Sequence, residues 1–154
     1  MERPAIRSAV AADCAALTEL CLRSKASNGY DAAFMAACRA ELTITPETLE
    51  KNSLWVVEKD QGLLGCVALC PTVTPTAGEV ALFFVDPDCQ RQGIGRQLWQ
   101  VLLEQARLLG QSTLTLDADP QAVPFYESLG FVVCGETPSG SIPGRVLPKM
   151  TLRI

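Results

Sequence analysis

Histidine is absent from the 154 residues, which leaves Cys/His nucleophilic catalysis without its base and zinc without its commonest ligand. The seven cysteines, at positions 14, 21, 38, 66, 70, 89 and 134, form no Cys-x-x-Cys pair, so no metal site is expected. They read instead as small core residues of a reducing compartment, as Cys21 does beside Leu17 and Leu20. Cys89 is the one expected to be accessible. Positive charge is also scarce: 13 Lys and Arg stand against 17 Asp and Glu, a net charge of -4, with no clustered basic face for nucleic acid. A basic or amine substrate suits such a surface better. No apolar run approaches the roughly 18 residues of a membrane span, and Asp13 interrupts the alanine-rich stretch where a signal-peptide core would lie. A cytoplasmic protein without membrane contact is expected.

What is present is ample apolar material, 48% of the chain, enough for one domain over 1–154 with a sizeable core. Val80 to Val85 is a short apolar run of β-branched and aromatic residues. It reads as a central strand buried on both faces, stopped by Asp86-Pro87-Asp88. From Ile94 the period changes: Ile94, Leu98, Val101, Leu102 and Leu109 mark one face of a helix, with Arg96, Gln100, Glu104, Arg107 and Gln111 opposite and Gly110 as its stop. Between strand and helix lies Gln90-Arg91-Gln92-Gly93-Ile94-Gly95. A helix N-terminus carries unpaired N–H groups and about half a positive charge, so this loop reads as a phosphate cradle or as a plain glycine turn. A Rossmann fingerprint would need glycine where Leu98 stands, and a P-loop would need Gly-Lys-Ser/Thr.

The remaining elements follow from local signals. Ala5 to Val10 reads as a strand, Asp13 as the N-cap of a helix to about Arg23, and Asp31 to Glu41 as a second helix. Thr45-Pro46 begins a short helix. Leu54 to Glu58 and Leu63 to Leu69 are strands joined by the turn Lys59-Asp60-Gln61-Gly62. Thr113 to Asp117 is a strand, Asp119-Pro120 opens a helix ending at Gly130, and Phe131 to Cys134 pairs with Leu147 to Ile154. Glu136 to Arg145 is a Gly/Pro/Ser-rich loop expected to fold over the site. The order β-α-α-β-β-β-α-β-α-β-β gives an α/β fold, a mixed sheet with helices on both faces.

Gln90-x-x-Gly93-x-Gly95 after a buried strand resembles the pyrophosphate loop of the GCN5-related N-acetyltransferase family. Asp119-Pro-Gln-Ala-Val-Pro-Phe-Tyr-Glu-Ser-Leu-Gly-Phe131 resembles that family's Asn-x-x-Ala-x-x-x-Tyr-Glu-x-x-Gly-Phe segment. The resemblance implies a mostly antiparallel sheet with a splayed central strand pair. It also implies an acetyl-CoA co-substrate, an amine acceptor and N-acetyltransferase activity, or a non-catalytic CoA-binding module on the same scaffold. Phe83, Phe84 and Val85 would bind the pantetheine arm, and Gln90, Arg91, Gln92, Gly93, Ile94, Gly95 and Arg96 the pyrophosphate. Tyr126, with Phe125 beside it, would either protonate the departing thiolate or merely pack. Glu79 would act as general base or remain a solvated charge. Asp119 stands where the family has asparagine, which puts its cofactor contact in doubt. Asn28, Tyr30, Phe34 and Met35 fall on the acceptor side, where Phe34 and Met35 read equally as core. Family members often dimerise, and the alternating C-terminal strand would serve as interface.

Overall fold

The computed structural model describes residues 4–60, 62–89 and 92–154. Gln61 in the hairpin turn and Gln90 and Arg91 in the glycine loop lie outside the described residues. The first strand, β1 (Ala5–Ser8), leads through a 3-10 turn at Ala11–Asp13 into α1 (Cys14–Ala26), followed by α2 (Ala32–Leu42) and α3 (Pro46–Lys51). Strands β2 (Ser53–Lys59), β3 (Gly62–Pro71) and β4 (Ala77–Val85) come next, then α4 (Ile94–Leu108) and β5 (Thr113–Asp117). A 3-10 turn at Pro120–Ala122 precedes α5 (Val123–Ser128), and β6 (Val132–Pro138) and β7 (Val146–Arg153) close the chain. The seven strands form one sheet in the order β1-β2-β3-β4-β5-β7-β6, antiparallel except for the parallel pair β4–β5.

Strand alternation builds two cores. In β2 and β3, Val56, Cys66 and Ala68 face α1 and α2, where Leu17, Leu20, Cys21, Cys38 and Leu42 meet them. Val57, Val67 and Leu69 face the other way, onto Leu98, Leu102, Leu114, Phe131 and Met150. Strands with both faces covered read as continuous apolar runs, as these do. Each leucine buried there contributes about 2 kcal/mol of transfer free energy. Local signals hold at several ends. Thr45 accepts from the Thr48 amide with Pro46 in the first turn, and Gly110 at φ 76° stops α4 in the left-handed region.

Several readings change. Asp13 does not cap α1 with its side chain. It turns back to accept from the Val10 amide at 2.8 Å and takes both Arg7 Nη atoms at 2.8 and 2.9 Å, and the guanidinium holds its carboxyl below the usual range. A forked Arg–carboxylate pair outcompetes a capping bond. Leu109 is exposed and Gln111 buried, because α4 ends at Leu108 and both residues lie beyond its helical period. The Asp119–Gly130 helix is shorter than expected, a 3-10 turn and then Val123–Ser128. Cys21, Cys38 and Cys66 are buried, Cys14, Cys70 and Cys89 partly so, and Cys134 is the exposed thiol. The C-terminal strand is flanked by β5 and β6, so the sheet edges belong to β1 and β6 and not to β7.

The largest correction concerns β4. It is not buried on both faces: Glu79 and Ala81 are exposed and Leu82 to Val85 are half-buried. Two features explain this. Its parallel pairing with β5 covers only Ala77, Gly78 and Glu79, after which β5 departs. Against β3, Ala68 faces Leu82 whereas Leu69 faces Val80, so Ala81 is an extra residue, a β-bulge. The bulge inverts the alternation. Val80 joins the α4 core, and Leu82, two residues on, packs in the α1–α2 core.

Candidate active site

Where β4 leaves β5 the sheet opens into a cleft of about 780 Å³. The Asp86 amide donates to the Leu64 carbonyl at 2.7 Å, so by strand alternation Phe84 and Leu82 also donate toward β3. The amides of Phe83 and Val85 therefore point into the cleft, on the side that β5 has vacated. Directly beyond the strand is the N-terminus of α4. Its first intrahelical bond runs from the Gln97 amide to the Gly93 carbonyl at 3.0 Å, which leaves the amides of Ile94, Gly95 and Arg96 without intrahelical acceptors. Gly93 sits at φ 79°, where an L side chain is strained, and nothing lies within 4 Å of a Cβ built there. A Cβ on Gly95 would meet Phe125 at 3.7 Å and Val85 at 3.8 Å. The result is an anion cradle with bare backbone toward the cleft and the exposed Arg96 at its rim.

Tyr126 lies farther along the same wall. Its ring makes edge contacts with Phe83, Phe125 and Phe131 at centroid distances of 6.2, 5.3 and 5.8 Å, and Trp99 backs Phe131 at 5.6 Å. These contacts fix the ring, and only 8% of the residue stays exposed. Its hydroxyl has no hydrogen-bond partner among the described residues, and the residue lines the cleft. Burial, reinforced by the Asp119 carboxylate, pushes the phenol well above its ordinary pKa. Both influences favour the protonated O–H form.

Glu79 also lines the cleft, at the last position of β4 that pairs with β5, beside Thr115. Although the residue is exposed, the cleft walls partly desolvate its carboxyl and raise it above the usual range, the Asp117 charge adds to this and Lys149 opposes it. A carboxylate moved toward neutrality is a better proton acceptor at neutral pH. Asp117 and Glu41 line the same end, each already accepting a hydroxyl, from Thr137 at 2.8 Å and from Ser141 at 2.7 Å.

The remaining wall is an ion-pair cluster around Asp119. Its carboxylate accepts from the Gln121 amide at 2.9 Å, from the Tyr30 hydroxyl at 2.8 Å and from Lys25 Nζ at 3.2 Å. Burial alone would raise the Asp119 carboxyl, but these donors outweigh it and hold it below the usual range. Arg145 donates to the Tyr30 hydroxyl at 2.8 Å and comes within 3.9 Å of Asp119. Phe34 stacks on Tyr30 at 4.0 Å.

A model of the acetyltransferase (GNAT) domain matches residues 22–150. The chain belongs to the GNAT family. Human N-acetyltransferase 8 is 32% identical over 112 residues, 67% of this chain and 49% of that protein, so the chain spans about half the length of this relative. Peptidyl-lysine N-acetyltransferase YjaB of Salmonella typhimurium is 33% identical over 118 residues, 75% of each. PaiA N-acetyltransferase of Thermoplasma acidophilum, solved in complex with coenzyme A, superposes with a TM-score of 0.80 at 18% identity, over 99% of this chain and 100% of that one. The mixed, mostly antiparallel seven-stranded sheet with helices on both faces is the GNAT fold.

Of the residues that the sequence and its GNAT resemblance single out, the structure brings Glu79, Phe83, Phe84, Val85, Gly93, Ile94, Gly95, Arg96, Asp119, Phe125, Tyr126 and Asn28 to one cleft. Gln92 is exposed outside its lining, and Tyr30 and Phe34 stand behind it in the Asp119 cluster. Lys25, Glu41, Asp117 and Arg145 were not singled out by sequence. One signal pointed to some of them: a carboxylate in place of the GNAT asparagine calls for a cation, and Lys25 and Arg145 answer it. No helix among the described residues is long and apolar enough to cross a membrane, and no metal-binding cluster of His, Cys, Asp and Glu occurs among them.

Proposed function

We propose that this chain is an acetyl-CoA-dependent N-acetyltransferase acting on a primary amine of a small molecule or a protein. One observation carries the reading: the unpaired edge of β4 runs from the bare helix N-terminus at Gly93–Arg96 to the phenol of Tyr126 and the carboxylate of Glu79, within one cleft. Acetyl-CoA supplies an acyl group already activated as a thioester. The amides of Ile94, Gly95 and Arg96 and the Arg96 guanidinium hold its diphosphate. Gln90, Arg91 and Gln92 belong to this part of the proposal by their place in the motif. Phe83 and Val85 donate to the amide-bearing arm and to the acetyl oxygen, a contribution of the oxyanion type. Phe84 and Phe125 frame the arm.

Glu79, directly or through water, takes a proton from the acceptor ammonium, whose ordinary pKa is about 10. The freed amine forms the new C–N bond as the C–S bond breaks, Tyr126 gives its proton to the departing sulfur, and the second proton shed by the acylated nitrogen passes through solvent to restore the phenol, leaving amide, coenzyme A thiol and the proton held by Glu79. Three carboxylates, Glu41, Glu79 and Asp117, at the acceptor end favour a cationic substrate. Asn28 on the lining is an acceptor contact in this reading, with Tyr30 and Phe34 supporting it from behind. Seven free thiols suit a reducing cytoplasm, and a homodimer is proposed as the working form.

Coenzyme A release from acetyl-CoA, measured over a panel of diamines, amino acids and lysine-containing peptides, tests this function. Amine-dependent thiol release with stoichiometric acetylation is the expected result. Acetyl-CoA binding without turnover on any amine would make the chain a CoA-binding module instead.

A further inference from the structure

The loop between β6 and β7 is fastened at three points that no single stretch of sequence links. Ile142 packs with the α1–α2 core. Ser141 donates to Glu41 of α2 at 2.7 Å. Arg145 donates to the Tyr30 hydroxyl, which in turn donates to Asp119. The third fastening is the most elaborate. The Arg145 guanidinium lies 5.2 and 4.8 Å from the Tyr30 and Phe34 ring centres, and Lys25 Nζ lies 5.4 and 5.9 Å from the same rings. Two cations thus rest on one stacked aromatic pair and share one carboxylate. Lys25, Asp119 and Arg145 have side chains only 15, 14 and 19% exposed, so solvent screens these pairs less than it would at the open surface. The loop itself is compact, with Ser139 donating to the Arg145 carbonyl at 2.8 Å and the amides of Ser141 and Ile142 both donating to Ser139 Oγ. Pro138, Gly140 and Leu147 from this region line the cleft at its acceptor end, next to Glu41.

We propose that Arg145 is a positioning residue: through Tyr30, Lys25 and Asp119 it latches the 139–145 loop against α1 and α2, and the latched loop forms the acceptor wall of the cleft. Arg145 is not among the residues lining the cleft, so it acts on the acceptor only through the loop. The latch gives the aspartate at position 119 a role that an asparagine could not fill, because only a carboxylate brings a negative charge between the two cations. It leaves the helix N-terminus and the open edge of β4 untouched, so acceptor affinity and acetyl-CoA affinity should separate.

The inference rests on the acetyltransferase reading for its kinetic part and on the structure alone for its physical part, and the test keeps the two apart. In Arg145→Ala, amide hydrogen exchange at residues 139–145 should rise about tenfold or more, while Val56, Val67 and Leu114 in the sheet exchange as before. Tyr30→Phe, which removes the bridging hydroxyl but keeps the stacked pair, should give a smaller rise in the same residues. Arg145→Lys should recover part of the protection, since it restores the cation without the planar fork. The acceptor KM should rise about tenfold in Arg145→Ala, with acetyl-CoA affinity by calorimetry within about twofold of wild type. Unchanged loop exchange in both Arg145→Ala and Tyr30→Phe would overturn the latch. So would weakened acetyl-CoA binding with the acceptor KM unmoved. If the wild type turns over no amine, the acetyltransferase reading fails, and the exchange measurements still decide whether the latch exists.

Discussion

Glu79→Gln should lower kcat/KM about 10²-fold at neutral pH and change the shape of the pH–rate profile. The wild-type carboxyl is raised above the ordinary carboxylate range by partial desolvation and by Asp117, with Lys149 opposing. A base must be ionised to act, so wild-type kcat/KM should fall as pH drops through that raised value and reach its plateau above it. Glutamine cannot take the proton. In the variant only acceptor molecules that have already lost theirs can react, and their fraction grows about tenfold per pH unit until the ammonium pKa near about 10. Raising the pH should therefore restore part of the loss. The residue is exposed on the cleft lining and its side chain makes no hydrogen bond or ion pair among the described residues, so the melting temperature should barely move. A Glu79→Gln enzyme with the wild-type profile would remove Glu79 from the mechanism and leave proton removal to water.

Tyr126→Phe separates chemistry from binding. The ring is held by Phe83, Phe125 and Phe131, and phenylalanine keeps all of these contacts. The hydroxyl has no partner among the described residues, so its loss should not destabilise the fold. What disappears is the proton for the departing sulfur. We expect kcat to fall about 10²-fold while acetyl-CoA affinity stays within about twofold, the pattern of an interaction made only on the way to the transition state. Because burial holds the phenol above its ordinary pKa, the wild type should show no alkaline loss from this group below about pH 10. Wild-type kcat in the variant across a pH series would reduce Tyr126 to a packing residue.

Tyr126 could be picked out in the sequence because it sits in a motif with fixed spacing, and Glu79 by its place at the start of the strand that precedes the glycine loop; so could the elements with local signals. Thr45-Pro46 caps its own helix, and Gly110 stops α4 with its own backbone. The exposed character of β4 could not be read in the same way. Val80 to Val85 has the composition of a doubly buried strand, but one side of it is covered by no strand, since β5 departs after Glu79. Apolar residues that meet a ligand look the same as residues that meet a core. Leu109 and Gln111 take each other's expected places because α4 ends at Leu108, short of both. The Asp119 cluster joins residues 94, 89 and 115 positions apart, and no local pattern encodes such pairings. Asp13 looked like a cap because its rival, Arg7, lies on a neighbouring strand whose orientation only the fold sets.

In the proposed function the vacated edge of β4 and the N-terminus of α4 form the acetyl-CoA site. Titrating acetyl-CoA into uniformly ¹⁵N-labelled protein and following backbone amide resonances tests it without relying on turnover. The largest shifts should fall on Phe83, Val85, Ile94, Gly95 and Arg96, whose amides face the cleft. Leu82 and Phe84, which donate to β3, should move less, and the exposed face of α4 around Gln100, Glu104 and Arg107 should stay still. Saturable binding with shifts on that exposed face or on β6, and none at Phe83, Val85 or Gly95, would contradict the account.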